Sequence, residues 1–227
     1  MDDVELVIFD LAGTTVREKG QVADAFVAAL SERGIEITPE QLSGVRGSSK
    51  RQAVLSFIPE GPDRERLAES VYISFREHLA RLYRVVGIES VEGAERVFIW
   101  LRARGIRVAL NTGFDREITG LLLSALKWEE GVVDAVVCGD DVRQGRPAPD
   151  LIFRAMEAAG ATNARRVVNV GDTMLDLQAG HNAGVGWNVG VLSGAHDRRM
   201  LERTPHTHLL ESVAGLPCLW PAGLRAR

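Results

Sequence analysis

Asp10 closes the apolar run Leu6-Val7-Ile8-Phe9, so a carboxylate stands at the carboxyl end of an expected buried strand. Open α/β sheets gather their chemistry at that end. An ionised carboxylate there can attack phosphorus in line and carry the phosphoryl group as an aspartyl-phosphate until water opens it. Carboxylates with this task often have a second Asp two residues on to protonate the leaving oxygen. Here that position is Ala12, within Asp10-Leu11-Ala12-Gly13-Thr14-Thr15-Val16. The nucleophile is present without its usual proton donor. Taken alone, Asp10 reads first as a turn residue at a strand end.

Three further segments turn the single carboxylate into an ordered set. Val108-Ala109-Leu110-Asn111-Thr112-Gly113 ends a strand in a hydroxyl residue, and Gly145-Arg146-Pro147 offers a guanidinium. The run from Val167 to Asp176 ends another strand in two acids, Asp172 and Asp176.

In sequence and spacing, this set resembles the haloacid dehalogenase superfamily over most of the chain. The resemblance implies a doubly wound, Rossmann-like parallel sheet carrying an inserted all-helical cap of the C1 type. It also implies attack on phosphorus by the first Asp, phosphoryl binding by Thr and by Lys or Arg, and Mg²⁺ held by the last acids. Within the superfamily, the Asp-x-Ala-Gly-Thr-Thr form and Gly145-Arg146-Pro147 resemble the phosphonoacetaldehyde hydrolase, or phosphonatase, branch. Members of that branch cleave a carbon-phosphorus bond after a cap lysine forms an imine with the substrate aldehyde. Electrons then flow into the imine and no leaving oxygen needs a proton, which gives Ala12 a chemical reason. The matching lysine is Lys50, in Gly47-Ser48-Ser49-Lys50.

On this resemblance the catalytic residues are Asp10 and Lys50, and the substrate-binding residues are Thr112, Gly113 and Arg146. The metal set is Asp10, the backbone carbonyl of Ala12, Asp172 and, in support, Asp176. Mg²⁺ prefers such oxygen ligands and would offset a repulsion of several kcal/mol between phosphoryl and carboxylate charge. Amides around Gly113 at a helix start would help bind the phosphoryl group, and the fork of Arg146 can engage two oxygens at once. Plainer readings stand beside these. Asp172 is then a loop acid, Asp176 an acid held by a helix dipole, Arg146 a surface loop residue, and Thr112 an N-cap for a helix starting near Asp115.

Imine chemistry needs a neutral amine, and a free lysine of pKa near 10.4 is only about 0.04% neutral at pH 7. Cationic neighbours would depress that value, and the sequence offers Arg46, one turn earlier if helix extends there, and the adjacent Arg51. Without such help Lys50 is a solvated cap lysine that guides phosphate. The chain departs from the phosphonatase pattern at three places: Arg46 replaces a methionine, Ala53 a histidine, and Phe114 a tyrosine. Phosphonoacetaldehyde is the first candidate substrate. The alternatives are a phosphomonoester phosphatase acting on a small phosphometabolite, and a phosphometabolite-binding protein with little catalysis.

The elements that must position these residues follow from composition and pattern. With 227 residues, 45% of them hydrophobic, the chain can form one large α/β domain or a core with an insertion. A net charge of −4 gives no global attraction to nucleic acid or to an anionic membrane. No apolar run is long enough to span a bilayer, and the start Met1-Asp2-Asp3 is acidic, unlike a signal peptide. Cys138 and Cys218 lack metal spacing and suggest no disulfide framework. A soluble, unprocessed cytoplasmic protein is expected.

Strands are expected at 4–9, 106–111, 133–138, 166–170 and 186–191, alternating with helices in a parallel sheet. Helical stretches at 21–33, 48–57 and 63–84, with a helix start at Thr38-Pro39-Glu40, read as the cap. The core then comprises 1–16 and 89–227 and the cap 17–88, with hinges near 15–19 and 87–92 and a tail from about 193 that finishes the core. The helix at 21–33 could pair with a second copy in a homodimer. His78 reads as part of a helix face, and His181, His196, His206 and His208 as surface or turn residues. The four tryptophans are dispersed, and Asp140-Asp141 shapes the loop before Arg146.

Overall fold

The computed structural model describes residues 4–129 and 131–220. Expectations that fall on 1–3 and 221–227 lie outside the described residues. The apolar runs form six parallel strands: β1 (Leu6–Asp10), β2 (Arg107–Asn111), β3 (Ala135–Val137), β4 (Val167–Gly171), β5 (Trp187–Val191) and β6 (His208–Leu210). Their order is β3-β2-β1-β4-β5-β6. The chain thus builds outward from β1 to one edge and then crosses to the other side, and the reversal opens a crevice beyond the carboxyl ends of the central strands. Five strands fall where hydrophobic runs predict them, within two residues at each end. The sixth lies in the tail, where His208-Leu209-Leu210 is too short to give a periodic signal.

Alternation along the strands loads both faces. Val7, Phe9, Leu110, Val168 and Val170 pack on one side with α5 (Ala94–Arg102) and α6 (Arg116–Leu126). Phe98 stands between Phe9 and Trp128, with ring centroids 5.3 and 5.1 Å away. Leu6, Ile8, Ala109 and Val167 face the other side, against α7 (Asp150–Ala159) and α8 (Met174–Ala183). Fully burying each such Val, Leu, Ile or Phe contributes about 1.5–3 kcal/mol. A short α9 (Arg198–Leu201) precedes β6.

Between β1 and α5 the chain inserts four helices: α1 (Gln21–Ser31), α2 (Pro39–Gly44), α3 (Lys50–Phe57) and α4 (Arg64–Val86). The start of α2 is fixed by Pro39 and by a reciprocal cap in which Thr38 and Gln41 bond each other's backbone amides. α1 packs on α4, with the rings of Phe26 and Phe75 4.4 Å apart. Gly87, at φ +83°, ends α4 where a side chain would be strained. The two connecting segments run side by side, Arg17 N–H donating to Glu89 O at 2.9 Å and Val91 N–H to Thr15 O at 2.8 Å.

Among the described residues no helix is long and apolar enough to cross a membrane. The tryptophans are less scattered than their sequence positions suggest. Trp220 lies 5.5 Å from Trp100 and 4.8 Å from Trp187, because the last turn folds back beside α5 and the start of β5.

Candidate active site

Parallel strands bring their carboxyl ends together, and α3 meets them from the insertion. Asp10, Ala12, Lys50, Thr112, Gly113, Arg146 and Asp172 consequently line one pocket. The pairing of β1 with β2 places Asp10 beside Asn111.

Asp10 is buried, and Arg146 Nη1 lies 2.8 Å from its Oδ1. Burial raises its pKa above the usual carboxylate range, and the charge of Asp176 adds to the rise while Arg146 opposes it. The loop after it is drawn tight: Thr15 Oγ1 donates to the carbonyl of Asp10 at 2.8 Å. Gly13, at φ +94°, lies so close to Asp172 that a Cβ would overlap the carboxylate.

Asp172 is fully buried, with Thr14 Oγ1 donating to Oδ1 at 3.0 Å and the Ala195 amide to Oδ2 at 2.6 Å. Its pKa is raised as well, first by burial and then by the charges of Asp10 and Asp176. Two buried carboxylates that repel one another form an oxygen-donor set whose excess negative charge suits a hard divalent cation. Asp176 is placed differently. Its Oδ2 accepts from the backbone and hydroxyl of Thr173 in a reciprocal cap of α8, and its Oδ1 lies 2.9 Å from Arg146 Nε. Both oxygens therefore already have protein partners.

Arg146 is the hub. Besides Asp10 and Asp176, it donates from Nη1 to Gly47 O at 3.3 Å, and from Nη2 to the backbone and side-chain oxygens of Asn111. The expected two-oxygen fork toward a phosphoryl group is, in this structure, aimed at Asp10, Asn111 and the insertion. Arg146 thereby orients Asp10 and balances two acids. Asn111 had no signal in the sequence, because its importance comes from its register opposite Asp10. Its Nδ2 is buried and has no hydrogen-bond partner among the described residues.

Thr112 Oγ1 accepts from Phe114 N–H at 3.1 Å, which leaves the hydroxyl proton free to donate into the pocket. It does not cap α6. Asp115 does, its Oδ1 accepting from Ile118 N–H at 2.9 Å.

Lys50 is the first residue of α3, and its backbone N–H donates to Gly113 O at 3.1 Å. That satisfies an amide left over at the helix start by bonding it to the core. A Cβ on Gly113 would overlap the Ser48 carbonyl, and one on Gly47 would overlap Thr173, so glycines on both sides let the loop before α3 lie against the strand ends. The Lys50 amine is buried, 3.2 Å from Ser48 O and 5.0 Å from the Phe114 ring centroid. Its pKa is lowered to about 8, chiefly by burial. Arg146 helps to lower it, while Asp10, Asp176 and Asp172 oppose. Roughly a tenth of such an amine is neutral at pH 7, against about 0.04% for a free lysine.

The expected cationic helpers are not the ones observed. The helix starts at Lys50, so Arg46 is not a turn earlier on it, and Arg51 pairs with Glu69 and covers the Tyr72 ring. His196 is also not the surface residue expected. It is buried, and its Nδ1 accepts from Met174 N–H at 2.9 Å, fixing the start of α8. His78 pairs with Glu32 within the insertion, and Asp141 is held by Arg116 and by the Cys138 amide.

The profile of the haloacid dehalogenase-like hydrolases matches residues 7–189. A phosphonoacetaldehyde hydrolase from Bacillus cereus (strain B4264) is 31% identical over 213 residues, spanning 88% of this chain and 80% of the relative. Among solved structures, a hydrolase from Pseudomonas syringae superposes with a TM-score of 0.84 at 25% identity, covering 95% of this chain and 97% of the other. A phosphonoacetaldehyde hydrolase-like protein from Oleispira antarctica shares the fold with a TM-score of 0.83 at 23% identity, covering 96% and 91%.

Proposed function

This chain belongs to the haloacid dehalogenase-like hydrolases, and we propose that it cleaves the carbon-phosphorus bond of a carbonyl-bearing phosphonate, with phosphonoacetaldehyde as first candidate. One observation carries this reading: a buried lysine of pKa about 8 shares a pocket with Asp10, while Ala12 leaves no acid two residues on to protonate an alkoxide. The residues suit a reaction that replaces leaving-group protonation by an electron sink.

The neutral Lys50 amine adds to the substrate carbonyl and, with uptake of one proton that is returned when the adduct is later hydrolysed, expels water to give an iminium. Asp10 attacks phosphorus, and the carbon-phosphorus electron pair moves into the iminium to form an enamine. Water opens the aspartyl-phosphate, and the enamine takes a proton on carbon before water releases the carbonyl product and frees Lys50. Arg146 holds Asp10 in line, and the Thr112 hydroxyl donates to a phosphoryl oxygen. Asp10, the carbonyl of Ala12 and Asp172 would hold Mg²⁺, with Asp176 behind them; the ion would neutralise phosphoryl charge during attack. Residues 17–88 act in this reading as a cap over a core of 1–16 and 89–227, in a cytoplasmic enzyme.

The test is incubation with Mg²⁺ and phosphonoacetaldehyde, measuring phosphate and acetaldehyde together, with an Asp10→Asn control and borohydride trapping on Lys50. Matched products and a trapped adduct are expected. Absence of products from folded, metal-supplied protein would reject phosphonoacetaldehyde as the substrate, and absence of an adduct on Lys50 despite turnover would overturn the imine reading. Ala53, small and buried where the phosphonatase pattern has a histidine, favours a second reading as a phosphomonoester phosphatase. Brisk aryl phosphate hydrolysis, equal in Lys50→Ala, would establish it.

A further inference from the structure

The charged groups on the pocket wall are nearly all committed to protein partners. Asp10 faces Arg146, Asp172 accepts from Thr14 and Ala195, and the Lys50 amine donates to Ser48 O. Glu18 accepts from the amides of Gly20 and Val22 at 2.9 and 3.2 Å, so its charge is held at the start of α1. Arg46 is the exception. It lines the same pocket, is half-buried, and its side chain makes no hydrogen bond or ion pair among the described residues. The wall it shares is apolar, built from Val22, Ala23, Phe26, Leu42 and Val45. A guanidinium beside such a surface, with open donors, binds an anion more strongly than it would in water.

The reading above already commits the phosphonate to Asp10 and Thr112 and the carbonyl carbon to Lys50. An aldehyde offers Arg46 nothing, since its third substituent is hydrogen. A planar carboxylate on the carbonyl carbon matches the fork of an arginine. We propose that the substrate class is a 2-oxo-3-phosphono carboxylate, with Arg46 binding the carboxylate; this rests on the carbon-phosphorus reading of the site. The balance is that of the aldehyde reaction. Lys50 forms a protonated ketimine, taking up one proton and releasing water, and Asp10 takes the phosphoryl group as the carbon-phosphorus pair enters this iminium. The enamine is protonated on its terminal carbon, and water releases the methyl 2-oxo acid and, from Asp10, phosphate. One water is consumed overall and no oxidant or reductant is needed.

The experiment has two arms. In the first, kcat/KM is measured for 3-phosphonopyruvate and phosphonoacetaldehyde with the intact protein and with Arg46→Met. A preference for the carboxylate of about 10- to 100-fold is expected, carried by KM and lost in Arg46→Met, with Arg46→Lys recovering part of it. Preference for the aldehyde, or a preference that survives Arg46→Met, overturns the proposal while leaving the carbon-phosphorus reading intact. The second arm needs no turnover: calorimetry of Asp10→Asn with 3-phosphonopropionate and with ethylphosphonate. Tighter binding of the carboxylate, abolished by adding Arg46→Met, supports a carboxylate subsite even where neither carbonyl compound is cleaved, an outcome that removes the reaction and retains the site. Equal binding of the two ligands overturns the assignment of Arg46.

Discussion

Tyr72 Oη donates a 2.6 Å hydrogen bond to Asp115 Oδ2, joining the longest helix of the insertion to the N-cap of the core helix that follows Thr112. Both residues are buried, and Arg76 Nε lies 3.0 Å from the same carboxylate oxygen. Asp115 thus serves two elements, since its other oxygen caps α6. Burial, with the bond to Asp115, pushes the Tyr72 phenol far above its usual range, so it remains a donor at any working pH. Phe114, the ring beside the Lys50 amine, directly precedes Asp115. Docking of α4 and placement of Lys50 are therefore linked through two consecutive residues.

Tyr72→Phe should expose that link. The ring is retained and Asp115 keeps Arg76, so the stability loss is expected at about 1 kcal/mol, the worth of one buried hydrogen bond. Urea unfolding measures it. The rate of borohydride trapping on Lys50 should fall more than thermal stability alone explains, because the lysine surroundings loosen. Unaltered unfolding and trapping would show that Arg76 suffices to anchor Asp115.

Much of this arrangement was legible in the sequence for a simple reason. Parallel strands converge at their carboxyl ends, so a polar residue ending each apolar run points to a shared crevice, as with Asp10 and Thr112. The Thr38-Pro39 helix start was legible because capping is local chemistry. Asn111 was not, since an asparagine at a strand end has no signature until the register sets it beside Asp10. Lys50 was legible only in part. The charges that surround it come from Arg146 and the distant acids rather than from Arg46 and Arg51, and burial is a tertiary property. His196 was missed for the same reason: its bond to Met174 crosses 22 residues, and nothing local marks it.

Lys50 also sets a pH dependence. Its folded pKa of about 8 lies below the ordinary 10.5, so the unfolded chain binds the extra proton between those values and stability rises with pH across that window. The contribution is fully present above 10.5 and is lost as pH falls through about 8. Lys50→Met should therefore be at least as stable as the parent at pH 7, with a flatter stability profile between those limits. Trapping by borohydride in the parent should climb with pH and level off above about 8. A trapping rate independent of pH would mean that amine deprotonation does not limit the reaction.

Gly113→Ala tests how closely the insertion must approach. Its Cβ would meet the Ser48 carbonyl and the following amide, which are backbone and cannot swing aside. The loop before α3 would shift and carry Lys50 with it. A displacement near 1 Å can cost about 100-fold in rate, and a loss of that order is expected in kcat/KM. Gly120→Ala is the control, since it sits in α6 with nothing within 4 Å. It should gain about 0.5–1 kcal/mol from helix propensity and leave turnover intact. Equal activity of the two variants would show that the close approach at Gly113 is dispensable.

Asp172→Asn separates metal binding from folding. The raised folded pKa of Asp172 means that its ionised form opposes folding in the metal-free protein. The stability it contributes is fully present below about 3.8 and is lost as pH rises through the higher folded value. An asparagine keeps the geometry: its oxygen accepts from the Ala195 amide, and its amide donates to Thr14 Oγ1. Without Mg²⁺ the variant should therefore melt at the same temperature as the parent or higher at pH 7. Added Mg²⁺ should raise the parent's Tm in proportion to the logarithm of its concentration above Kd, EDTA should reverse that rise together with turnover, and the variant should respond to neither. A Mg²⁺ shift that persists in Asp172→Asn would place the cation elsewhere in the molecule.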